Sequence, residues 1–99
     1  MPEQSYGNNR DGRKVVTTAG TAVRLASANT RCAKVIIMAE VDNTGYIVVG
    51  DSTVVASLAT RRGIPLSAGT SITMYVEDLY QVWMDSEVSG DGVTFQYFF

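Results

Sequence analysis

Three carboxylates, Asp85, Glu87 and Asp91, fall close together around Ser89-Gly90. Acidic loops of this kind hold Ca²⁺, which takes roughly 6–8 oxygen ligands. The spacing does not match the EF-hand pattern, and Gly90-Asp-Gly92 is also ordinary hairpin-turn chemistry, which is the plainer reading. Glu77-Asp78 adds a second acidic pair. With Asp85 it would make an acid–base couple of glycosidase type only if a cleft brought the two together. Hydroxyls are plentiful, but a hydroxyl nucleophile needs a base, and the chain contains no His. Lys14 and Lys34 lie in strand-like runs outside any Ser-x-x-Lys motif, and Gly-x-Ser-x-Gly is absent. Cys32 has no second Cys and no His to partner it, so it reads as a structural thiol. These absences exclude His triads, zinc sites, CxxC redox pairs and disulfide frameworks. The expectation is a non-enzymatic protein with no catalytic residue, no cofactor and no metal.

The groups left over suit binding. Arg61-Arg62 is the only basic doublet. It fits a phosphate, a sialic acid or a partner's carboxylate, or it is simply a pair of solvated loop charges. Arg10 and Arg13 make the N-terminal segment mildly basic, offset by Glu3 and Asp11, which is too weak for a nucleic-acid tail. Trp83 alternates with Val82 and Met84 and is expected to face outward, as is Tyr75. Both are candidates for a protein interface or a sugar platform, or for burial under a neighbouring strand. The sequence closes on Gln96-Tyr-Phe-Phe99, and burial of Phe98 and Phe99 at a subunit contact is the simplest solution for that apolar end.

The elements that must position these residues read as β. The chain has 99 residues, 45% hydrophobic and 18% charged, which suits one small core and excludes a disordered chain. The net charge of −2 argues against general nucleic-acid binding. All 8 basic residues lie at or before Arg62, while the charged residues of 63–99 are all acids, a two-signed pattern that suits contacts between copies or equally an ordinary solvated surface. Runs rich in Val, Ile, Thr, Tyr and Phe recur at residues 14–18, 21–25, 33–41, 46–49, 53–57, 71–76, 79–84 and 93–98, separated by Gly, Asn, Asp and Ser clusters. Ile72, Met74 and Val76 should face inward, as should Val93, Phe95 and Tyr97. The unbroken run Val35-Ile-Ile-Met-Ala39 should be covered on both faces, and in a chain this small another subunit can supply the second cover. A helix over 53–62, capped by Ser52, is the alternative to a strand there. Residues 1–13 read as an N-terminal arm, and 14–99 as the domain. The first residues show no apolar signal-peptide core, and the longest apolar run falls far short of a membrane span, so a soluble cytosolic product is expected. The fold class expected is all-β: a single antiparallel β-sandwich, jelly-roll-like, of about eight short strands.

The order of segments resembles a known group. Thr18-Ala-Gly-Thr-Ala-Val-Arg-Leu25 precedes an apolar strand. Then come Asn43-Thr-Gly-Tyr-Ile-Val-Val-Gly50, Gly63-Ile-Pro-Leu-Ser-Ala-Gly69, Asp78-Leu79 and Gly90-Asp-Gly-Val-Thr-Phe-Gln-Tyr97. Over residues 14–99 this is similar to small virion structural proteins of tailed bacteriophages. The resemblance implies a β-sandwich present in many copies on a phage particle assembled in the host cytoplasm. It implies a capsid decoration (cement) protein, a homo-oligomer with a trimer favoured, that contacts the major capsid protein or other virion proteins. The alternative is a tail, baseplate or fibre module that binds host glycan or another virion protein. Gly45, Gly50, Gly63 and Gly69 are expected as turn glycines, and Pro65 at an edge or bend.

Overall fold

A computed structural model describes residues 7–99. Eight strands follow in order: β1 Asn9–Val15, β2 Val23–Arg24, β3 Lys34–Ala39, β4 Ile47–Gly50, β5 Ile64–Leu66, β6 Ser71–Met74, β7 Trp83–Ser86 and β8 Gly92–Phe98. They form two four-stranded sheets, β1-β8-β3-β6 and β2-β7-β4-β5. Every pairing is antiparallel. Among the described residues there is no α-helix, only 3-10 turns at Leu58–Thr60 and Leu79–Gln81.

Alternation in the sequence sets the faces. On β8, Val93 and Tyr97 are buried and Phe95 is half-buried, while Thr94 and Gln96 are exposed. On β6, Ile72 and Met74 are half-buried, and Ser71 and Thr73 lie in solvent. One buried cluster draws on both sheets: Val35, Ile37 and Val93 from the first, Ile47, Val49 and Met84 from the second. Each such side chain contributes roughly 1.5–3 kcal/mol on burial. Gly12 on β1 makes room for this packing. The Phe95 ring lies across it, 2.4 Å from where a Cβ would stand.

Several expectations change in detail. The arm over 1–13 overlaps β1, whose residues from Asn9 onward pair with β8 as a regular edge strand. Residues 1–6 of that arm lie outside the described residues. The run 53–57 forms only an isolated bridge, Val55 to Arg62, and the helix considered there shrinks to the single turn Leu58–Thr60. The run 79–84 splits, because Asp78 caps a 3-10 turn before β7 begins at Trp83. β5 was not foreseen. It carries Pro65, which is tolerated because β5 is an edge strand.

Within the described chain, the strand covered on both faces is β4, and β3 is covered on one face. Ile47 and Val49 point into the main cluster. Val48, on the opposite side, packs with Val54 and Ala56 into a second small cluster against Ala22 and Trp83. The cause is the segment between β4 and β5, which folds back over the second sheet. No segment of the described chain does the same for β3, where Ile36 stays half-buried and Met38 is 39% exposed.

Candidate interaction surface

The carboxylates that head the sequence argument are all engaged by the chain itself. Asp85 is 1% exposed and lies within β7, on the outer side of the second sheet. Its Oδ1 accepts from the backbone N–H of Gly20 at 3.0 Å and of Ser86 at 2.9 Å. Its Oδ2 accepts from the N–H of Ala56 at 3.1 Å. One side chain therefore ties both the β1–β2 loop and the β4–β5 segment to the sheet. Asp91 accepts from the N–H groups of Thr44 and Gly45, the latter at 2.8 Å. Glu87 accepts from the Tyr46 N–H at 2.9 Å and pairs with Arg61, whose guanidinium also donates to the Ala56 carbonyl.

Asp78 accepts from Thr30 at 2.7 Å and Tyr80 at 2.9 Å. These two backbone N–H bonds hold its carboxyl below the usual carboxylate range. Backbone donors fill the positions that a cation would need, and no group of three or more His, Cys, Asp or Glu among the described residues is arranged to hold a metal ion. The thiol of Cys32 donates to the Val76 carbonyl at 3.2 Å, and burial raises its pKa.

The candidate binding residues separate into two groups. Arg61 belongs to the cover of the second sheet, and Trp83 lies beneath it on β7. Trp83 faces outward as its alternation requires, but Val48, Val54 and Ala56 pack around it. The Arg24 guanidinium lies 4.5 Å from the centroid of its ring and 3.7 Å from that of Tyr80. Arg62 pairs through its backbone with Val55 and is exposed beside Gly63. The phenyl rings at the end of the chain stay on the first sheet. Phe99 is 41% exposed, stacks on Tyr97 at 5.6 Å and meets Arg10 at 5.8 Å. Phe98 lies on the outer face with the Lys34 ammonium 4.8 Å from its ring centroid. Within the chain Phe98 is half-buried and Phe99 stays exposed.

Register then defines a continuous open face. Opposed residues of an antiparallel pair point to the same side. Phe98, Gln96 and Thr94 of β8 therefore share the outer face with Lys34, Ile36 and Met38 of β3, and with Asp11 and Arg13 of β1. Two open depressions interrupt it. One of about 430 Å³ is bounded by Arg13, Met38, Glu40, Val41, Asp42 and Thr94. The other, of about 290 Å³, lies between Asp11, Ile36, Met38, Thr94, Phe95 and Gln96. Arg13 pairs with Glu40 at the rim. This pairing raises the Arg13 pKa and lowers that of Glu40. The Arg13 side chain is 61% exposed, so the pair adds little to stability. The face mixes half-exposed apolar side chains with two-signed polar ones, the composition of a contact surface and not of a cleft.

Comparison with known proteins returns no matching family model, no matching curated protein and no matching solved structure.

Sequence reasoning did not identify the open face, because Met38 sits inside an unbroken apolar run that reads as doubly covered. It also placed Asp85 in a turn. No local signal marks its role: alternation puts Asp85 on the same outward side as Trp83, where a carboxylate is ordinarily solvated, and only the loops that fold over the second sheet bury it.

Proposed function

We propose that this chain is a non-enzymatic structural protein of a bacteriophage particle, a decoration protein that binds the head shell through many weak, repeated contacts. The observation that carries the reading is the division of labour among side chains. Asp78, Asp85, Glu87 and Asp91 are bonded to backbone N–H groups, while among the described residues no segment covers the outer face of the first sheet. Pairings of β1 with β8, β2 with β7, β3 with β6 and β4 with β5 are those of one long hairpin rolled into two sheets, and we read them as a jelly-roll sandwich. That architecture occurs in viral capsid and lectin domains alike, so it fits the reading without dictating it. The bare face, with Met38, Ile36 and Phe98 among polar neighbours, would lie on the major capsid protein. Self-association would multiply contacts that are individually weak. The alternative, a fibre or tail module for glycan, loses its main platform, since Trp83 is packed beneath Arg24. Tyr75, at 74% exposed, is the aromatic still available to it.

The test is co-sedimentation of the purified protein with head shells that lack it. The expected result is saturable recovery in the pellet. Protein that stays in the supernatant at every concentration contradicts the proposal. Binding to a glycan array that is lost on Tyr75→Ala favours the alternative.

A further inference from the structure

The four edge strands are not equally protected. β1 carries Arg10, Asp11, Arg13 and Lys14; β5 carries Pro65; β2 is two residues long. Charges, Pro and shortness are the usual defences of a sheet edge. β6 has none of these except modest length. It runs on as Ser71-Ile-Thr-Met-Tyr-Val76, and residues 63–76 contain no charged side chain.

The direction of its open backbone groups follows from the ladder. The Ala39 N–H donates to the Thr70 carbonyl at 2.9 Å, and β3 and β6 keep the register Ile37 to Ile72 and Val35 to Met74. Backbone bonding alternates along an antiparallel strand. Thr70, Ile72 and Met74 therefore bond to β3, and the N–H and C=O groups of Ser71, Thr73 and Tyr75 point to the open edge. Beside that edge the two sheets part in a groove of about 460 Å³, lined by Val49, Val54, Ile64, Ile72 and Met74, with Arg62 and Asp51 also on its wall.

The geometry points to a second copy of this chain as the occupant of that edge, paired antiparallel through β6 about a two-fold axis at Thr73. Thr73 then faces its own counterpart, and Ser71 faces the counterpart of Tyr75. All three outward-facing residues are used, giving up to about six N–H···O bonds. On the inner side Ile72 meets the counterpart of Met74, so the apolar row beside the groove continues across the axis. Charge supports a copy of the same chain. The neutral stretch meets itself, and Glu77 falls opposite Gly69, so no charge confronts another. A two-fold contact is self-complementary, so one event satisfies both open edges. The contact surface is small, which makes the association reversible on dilution. This contact stands apart from the shell-binding face and does not rest on the particle reading.

The experiment is light scattering of the full chain across a dilution series, with Thr73→Pro as the variant. The Thr73 N–H makes no ladder bond to β3, so its loss to Pro is tolerated at an edge. The expected result is a two-fold fall in mass on dilution for the wild type, absent in Thr73→Pro. Amide exchange at Thr73 in the wild type provides a second readout independent of the variant's folding: slow when concentrated, fast when dilute. A mass independent of concentration with a freely exchanging Thr73 amide overturns the inference, as does Thr73→Pro associating like the wild type. A wild type that pellets with shells yet shows no such step would sink this inference and leave the particle reading standing.

Discussion

The two sheets treat their outer faces differently. Over the second, the segment between β4 and β5 lies back on Val48 and Trp83, and the buried Asp85 ties it down through backbone N–H bonds. Over the first, Met38 and Ile36 remain in contact with solvent. In so small a chain a second cluster of this kind stabilises one face only. The comparison separates side chains that serve stability from side chains left for partners. It also explains why Asp85, Glu87 and the lone Trp, which stand out in the sequence, turn out to belong to the covered side.

The largest expected effect lies at the tie. Asp85→Ala removes a buried acceptor and leaves the N–H groups of Gly20, Ala56 and Ser86 without it, at a cost of about 3–5 kcal/mol. In a domain of this size the melting temperature should fall by more than about 10 °C. Asp85→Asn, which keeps one acceptor oxygen, should lose less. A melt unchanged in Asp85→Ala would break the comparison at its root.

The next effect is a contrast between faces. Val54→Ala in the second cluster should cost about 1–3 kcal/mol in denaturant unfolding. Met38→Ala on the open face should stay within about 0.5 kcal/mol. Equal costs would mean that the first sheet's outer face contributes to the fold as much as the covered one.

The smallest effect is in pH. The folded-state pKa of Asp78 lies below its unfolded value, so the stabilisation it gives is fully present above the unfolded value. It is lost as pH falls through the folded one, below about pH 4. Glu40 beside Arg13, and Asp51 beneath the hydroxyl and N–H of Thr53, shift in the same direction. Asp78→Asn should melt below the wild type at neutral pH, and the two curves should converge in acid. A gap that widens in acid would contradict the assignment of Asp78 as a charged cap.

Strand existence was readable where alternation is regular, as in β6 and β8, because a two-residue period leaves one choice of inner face. It failed where tertiary covering decides. Nothing in Val35-Ile-Ile-Met-Ala39 distinguishes a doubly covered strand from one left open on one side, and nothing local in residues 53–57 reveals a segment that lies across a sheet without joining it. The charged β1 read as an arm because its Arg, Asp and Gly residues carry turn and loop character, whereas on an edge strand the same charges protect the open side. Arg10, Arg13, Phe98 and Phe99 were singled out from sequence and lie on the first sheet, Arg13 and Phe98 on its open face and Arg10 beside Phe99 on the other. Arg61 and Trp83 were singled out by the same reasoning and belong to the covered face of the second, Arg61 in the cover and Trp83 beneath it. Residue type identifies a group able to bind, and only packing shows whether it is already engaged.

The most direct test of the account places one acidic substitution on each face and asks which of them the shell feels. Met38→Glu lies on the open face; Leu58→Glu lies on the segment that covers the second sheet, where Leu58 is 77% exposed. Both should melt close to the wild type. The account predicts that co-sedimentation with head shells is lost in Met38→Glu and kept in Leu58→Glu. Retention in Met38→Glu, or loss in Leu58→Glu alone, would contradict it.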